Sequence, residues 1–135
     1  MMRRIGPVLA LAVTLLTAGV AAAGSWQPRS WVDESTIELR TTCPGEGEHW
    51  FKVWMVVLDQ QVYVRLGTRA AKRIACNTSK PWLAARIAGE EFDHVLGVEA
   101  PGQATRVADA MAKKYWSDVL VRHFSHPLTL RLTGE

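Results

Sequence analysis

Residues 50–66 read WFKVWMVVLDQQVYVRL, and their pattern decides the fold class. The first nine are apolar at nearly every position and rich in aromatic and β-branched side chains, as in a strand covered on both faces. Asp59, Gln60 and Gln61 interrupt the run. In 62–66 the apolar Val62, Val64 and Leu66 then alternate with Tyr63 and Arg65, the two-residue period of a second strand. Two strands joined by so short a polar break form a hairpin. Trp50, Trp54 and, further on, Trp82 fall where strands would bury them, so core filling is their expected role, with stacking on a planar ligand as the alternative.

Outward from this hairpin the chain continues to read as strand. Upstream, 36–42 (TIELRTT) carries β-branched residues and stops at 43–48 (CPGEGE), where Pro and Gly force a loop. Downstream, the basic stretch 68–73 reads as a loop or short helix. Residues 82–88 and 91–99 form a second hairpin about Gly89 and Glu90. In its second arm Phe92, His94, Leu96 and Val98 share one face, which makes His94 a hydrogen-bonded core or interface histidine rather than a general base. Ala104, Val107, Ala108, Met111, Ala112 and Tyr115 recur at helical spacing after Pro101 and Gly102, predicting a helix over 104–116. A last strand, 128–132, follows Pro127. Five or six short strands with frequent turns and one late helix predict a mainly β, α+β domain. Its form is a small barrel of about six antiparallel strands with one principal C-terminal helix.

The first 23 residues have a different character. Arg3 and Arg4 precede thirteen mostly apolar residues, 8–20, and then Ala21, Ala22 and Ala23, the order of a cleavable secretory signal. The apolar run is shorter than the roughly 20 residues of a membrane span, which sets the anchor-helix reading second. The arginine pair also suits twin-arginine export, although Ile5, Gly6 and Pro7 do not continue it in the usual way. Three segments follow: 1–23 as signal peptide, 24–35 as an extended, partly mobile lead, and 36–134 as the folded domain. The expected product is exported, periplasmic or secreted, with no membrane association after cleavage.

Cleavage would leave 112 of the 135 residues, the size of one domain. Removing Arg3 and Arg4 from the 16 basic residues leaves 14 against 13 acidic ones, so the positive balance of the precursor carries no signal for nucleic acid. No metal site is expected. His123 and His126 are three apart, but no further ligand stands at suitable spacing. No Gly-x-Ser-x-Gly elbow holds a serine nucleophile, and Asn77-Thr78-Ser79 matches a glycosylation acceptor only in a eukaryotic secretory setting. Cys43 and Cys76 are disulfide candidates in an oxidising compartment, two buried thiols being the other reading.

The run 53–67 (VWMVVLDQQVYVRLG), the Trp-led strand at Trp82, the helix ending Lys113-Lys114-Tyr115 and the closing 128–132 (LTLRL) together resemble an uncharacterised branch of the pyridoxamine phosphate oxidase-like split barrels. The resemblance covers 36–134 and implies a flavin-binding split-barrel fold. It also implies a homodimer that binds flavin mononucleotide or a deazaflavin between its subunits. Residue by residue, it places Arg65, Thr68, Arg69 and Arg73 on the phosphate side of such a pocket, with Trp54 nearby. Guanidinium forks and hydroxyls are the groups that meet phosphate oxygens. The expected ligand is thus a planar, anionic small molecule. Leu66 stands where relatives carry a hydroxyl residue, and 68–73 lacks their loop tryptophan. Both departures favour the alternative of a cofactor-free exported interaction or structural module.

Overall fold

The structure, a computed structural model, describes residues 24–115 and 126–135. The signal-like segment 1–23, Trp116 and His123 lie outside the described residues. The elements in order are β1 (Thr36–Cys43), β2 (Gly47–Leu58), β3 (Gln61–Leu66), α1 (Thr68–Cys76), β4 (Trp82–Ile87), β5 (Glu90–Glu99), α2 (Ala104–Lys114) and β6 (Leu128–Gly134). The six strands close into one barrel in the order β1-β2-β3-β6-β5-β4, every pair antiparallel. The predicted barrel and its principal C-terminal helix are therefore present, and the basic stretch after Gly67 is a nine-residue helix.

Local chemistry explains the hairpins. Asp59 and Gln60 take φ of 49° and 61°, and Ala88 and Gly89 take 51° and 77°, so each pair forms a two-residue turn whose twist matches that of the strands it joins. Arg106 of α2 ion-pairs with Asp59 at 2.5 Å and holds its carboxyl below the usual range, tying the helix to the β2–β3 turn.

Strand alternation fills the barrel. Ile37 and Leu39 of β1, Met55 of β2, Val62, Val64 and Leu66 of β3, Leu83, Ala85 and Ile87 of β4, and Leu130 and Leu132 of β6 point inward and are buried. On the outer face, Val107 and Met111 of α2 pack on Val56 and Tyr63, a second and smaller apolar layer. Each fully buried aliphatic side chain contributes roughly 1.5–3 kcal/mol, so the interior layer dominates stability.

Three expectations are corrected. Trp50, Trp54 and Trp82 are half-buried on the outside of the barrel rather than in its core. Each occupies an outward position of its strand and is covered by a neighbour: Arg86 lies 3.8 Å over Trp50, Tyr115 stacks on Trp54 and His94 stacks on Trp82. His94 is exposed rather than a core histidine, because β5 bulges. Leu83 pairs with Val95 and Ala85 with Phe92, so Asp93 and His94 together oppose Ala84, and the inward phase moves from Phe92 to Val95. The lead after residue 23 is not extended. Residues Pro28–Trp31 form a 3-10 turn, and Trp31 is 3% exposed, set edge-on against Trp26 and Phe92 at the barrel end.

At the seam where β1 begins, β2 runs on past its partner. Thr36 pairs with Trp54, and beyond it the amide of Met55 donates to the Ser35 carbonyl at 3.1 Å. The end of α2 serves the remaining carbonyls. Lys114 Nζ donates to the carbonyls of Glu34 and Met55, and the Tyr115 hydroxyl lies 2.7 Å from that of Ser35 and 2.5 Å from that of Met55.

Candidate functional site

Helix α1 is the element that makes a site. Ala70 and Ile74 sit one turn apart and pack on the core, which forces Arg69 and Arg73, also one turn apart, onto an adjacent face. Its N-cap is Gly67, which offers no side chain to the first free N–H groups of the helix. Its far end is fixed covalently by the Cys43–Cys76 disulfide, which joins α1 to the end of β1. Just beyond, the buried Asn77 accepts from the Thr42 amide at 3.0 Å and donates to the Trp82 carbonyl at 2.9 Å. The helix is thus held at its C-terminal end by one covalent and one polar tie.

Between α1 and the barrel wall lies a cleft of about 510 Å³. Gly67, Thr68, Arg69, Ala70 and Arg73 form one side, Phe51, Lys52 and Val53 of β2 the other, and His126 reaches it from the approach to β6. The uncapped N-terminus of α1 therefore lies in the wall of a cleft that also holds two guanidinium groups, an ammonium and a hydroxyl. Amide N–H groups and the positive end of a helix dipole suit an anionic group such as a phosphate. Arg73 is partly committed: its Nη1 ion-pairs with Glu46 at 2.9 Å beside a second cleft that includes Lys72.

Of the five residues singled out from sequence, Thr68, Arg69 and Arg73 come together in this cleft. Arg65 and Trp54 do not line it. Arg65 is on the outer face of β3, paired across the ladder with Thr129, and Trp54 stacks on Tyr115 at 5.0 Å between ring centres. Leu66 points into the core with no exposure, so a hydroxyl at that position would face apolar neighbours rather than the cleft. Sequence reasoning missed Phe51, Lys52 and His126. Their only signal is topological, since the pairing of Leu66 with Leu128 carries the start of β6, and His126 with it, to the end of β3 where α1 begins.

A second feature with altered chemistry is the seam. Burial pushes the Tyr115 hydroxyl up to about 12 and lowers the Lys114 ammonium, with Asp33 and Glu34 opposing the latter shift. Both groups are occupied in capping carbonyls, which gives them a structural role. Among the described residues no three His, Cys, Asp or Glu side chains converge on a point where a metal ion would sit.

No protein-family model and no curated protein matches the sequence. Solved structures do. An F420-H2 dependent reductase superposes with a TM-score of 0.58 at 7% identity, covering 74% of this chain and 95% of its own. A conserved hypothetical protein from Mycobacterium tuberculosis gives 0.57 at 17% identity, covering 78% and 77%. The heme storage protein HutZ from Vibrio cholerae gives 0.56 at 15%, covering 78% and 86%. A structure described as a domain-swapped dimer gives 0.56 at 7%, covering 74% and 80%. The barrel order, the helix packed on its outer face and these superpositions agree that the chain has the split-barrel fold of the pyridoxamine phosphate oxidase-like proteins.

Proposed function

We propose that this chain is an exported split-barrel protein that binds a flavin-like small molecule, a flavin or deazaflavin, by its anionic end and serves in redox chemistry. The observation that carries the reading is the uncapped N-terminus of α1 lining a cleft with Lys52, Thr68 and Arg69. These groups fit a phosphate: backbone N–H donors, one hydroxyl and cations around a pocket whose remaining wall, Phe51 and Val53, is apolar enough for a planar ring. A flavin-like group held there would supply the electron-transfer chemistry, while the chain's own residues bind and orient it. Support from outside the chain comes from two structural neighbours, one described as an F420-H2 dependent reductase and one as a heme storage protein. The neighbour described as a domain-swapped dimer supports a homodimer. Export is supported by the signal-like order of residues 1–23 and by the disulfide, a bond that persists in oxidising compartments.

The test is spectroscopic. Mature protein purified with and without added flavin mononucleotide, a deazaflavin cofactor or haem is followed by visible absorption and thermal unfolding. A ligand at a hundredfold excess over its dissociation constant stabilises by about 2.7 kcal/mol. Flavin or deazaflavin should raise the melting temperature, and Lys52→Ala with Arg69→Ala should abolish that rise. No shift with any of the three ligands would reject the reading. It would leave ahead the cofactor-free interaction module, which the engagement of Arg73 by Glu46 favours.

A further inference from the structure

We propose that the outer face of the β1–β4–β5 sheet carries a second site, for a free α-amino acid with a planar side chain. The site shares no lining residue with the α1 cleft, so it stands whether or not a cofactor binds there. It begins with the bulge in β5. Were the alternation regular, either Asp93 or His94 would face inward; the bulge turns both outward, opposite Ala84. Across the other side of Ala84, β1 pairs Arg40 with it. One row across the sheet therefore reads Arg40, Ala84, Asp93–His94: a cation, a side chain of one methyl group, and an acceptor pair.

Strand spacing sets the dimensions. Arg40 and the bulge are two strands apart, about 9–10 Å between backbones. Along this row lies a hollow of about 290 Å³, to which Thr42, Ser79 and Trp82 also contribute, with the buried Ala84 in its wall. That volume suits a small molecule. Arg86, the next outward residue of β4, does not fill it, because its guanidinium is drawn away over Trp50 at 3.8 Å and paired with Glu91 at 3.1 Å.

The charges on either side are not neutralised locally. Among the described residues Asp93 has no hydrogen-bond or ion-pair partner. Arg40 has only a 4.0 Å contact with Glu48 and a 5.6 Å approach to Trp50, both weak. A guanidinium and a carboxylate lining one hollow offer partners for the carboxylate and ammonium of one zwitterion. The wall beside them is planar: His94 lies flat on Trp82, 3.5 Å between ring centres and 12° between planes, with its Nδ1 fixed 2.8 Å from the Glu135 carboxylate. An aromatic side chain has a ring to stack on there.

Three matched ligands separate the contributions: L-phenylalanine, L-phenylalaninamide, which lacks the carboxylate, and N-acetyl-L-phenylalanine, which lacks the ammonium. Binding is read from the Trp82 indole and Asp93–His94 amide signals in two-dimensional NMR. L-phenylalanine should bind at least tenfold more tightly than either analogue. Arg40→Gln should bring L-phenylalanine down to the amide, and Asp93→Asn should bring it down to the acetyl derivative. Both side chains are outside the core, and thermal unfolding checks that the variants fold; the ligand series on the unaltered protein is decisive without them. Equal affinities across the series, or no change in those signals at millimolar L-phenylalanine, would overturn the proposal.

Discussion

The two ends of the barrel are closed by different chemistry. Where β1 begins, the plug is aromatic and dry: Trp26, Trp31 and Phe92 meet edge-on with ring centres 4.8–5.5 Å apart, and Gly134 approaches so closely that a Cβ there would lie 2.4 Å from the Trp26 ring. Where β1 finishes, the lid is the basic helix α1, held by a disulfide and by the side chain of Asn77, with clefts on its flanks. One end is closed by rings packed on one another, with a cleft of about 540 Å³ beside Trp26, Pro28 and Gln60. The other is closed by covalent and polar ties that leave room beside them. A barrel needs at least one stiff end if the other is to carry a site, because binding surfaces are drawn from the less densely packed parts of a fold.

The largest effect should come from the dry end. Trp31→Ala removes a buried ring with no water to replace it and should cost about 3–5 kcal/mol, read from urea denaturation. A loss below about 1 kcal/mol would mean that the lead is an accessory and the plug is not structural. At the other end, Cys43→Ala with Cys76→Ala, or reduction, opens a loop of 33 residues and should cost about 2–4 kcal/mol. Hydrogen exchange sharpens the contrast. Protection should fall in α1 while the amides of β4 and β5 around Phe92 keep theirs, whereas uniform loss would show that the two ends unfold as one.

The seam where β1 begins responds to pH. The Tyr115 hydroxyl is pushed up to about 12 from its ordinary value of 10.0, so its stabilising contribution is complete below pH 10 and is lost as pH climbs toward 12. Lys114 acts in the opposite sense: its lowered value makes folding gain as pH rises in the window just below its ordinary 10.5. The tyrosine effect is therefore read as a difference. Tyr115→Phe should cost about 1 kcal/mol at neutral pH, from loss of the one hydroxyl proton shared between the Ser35 and Met55 carbonyls, and should flatten the alkaline fall in stability above pH 10. A variant with the same alkaline slope as the parent would assign that slope to other groups.

What the sequence disclosed follows the same division. The β2–β3 hairpin and the inward positions of the barrel were legible because a two-residue period with apolar inward sites leaves one solution. Arg69 and Arg73 were legible as neighbours once the segment is helical, since residues four apart share a face. The bulge was hidden. Phe92, His94, Leu96 and Val98 alternate without a break, and only the pairing of Asp93 and His94 against Ala84 shifts the phase. Trp50, Trp54 and Trp82 misled because their large apolar area suggested the interior, whereas this barrel is filled mainly by aliphatic side chains and leaves these three indoles on the wall under cations and rings. Lys52 and His126 enter the candidate cleft through barrel closure, which joins segments far apart in the chain and leaves no local trace.

The smallest effect tests how dry the α1 end is beneath its helix. Thr41 points inward from β1 beyond Leu39, is 1% exposed, and its Oγ1 is the one buried side-chain polar atom among the described residues with no hydrogen-bond partner. A hydroxyl buried without a partner costs roughly 1–3 kcal/mol. Valine has nearly the same shape without the hydroxyl, so Thr41→Val should stabilise the protein by up to about 1 kcal/mol once imperfect repacking is allowed for. If the variant is instead less stable, the hydroxyl is bonded to a water held inside the barrel. The α1 end would then be hydrated below its helix as well as beside it, and the contrast with the aromatic plug would extend into the core itself.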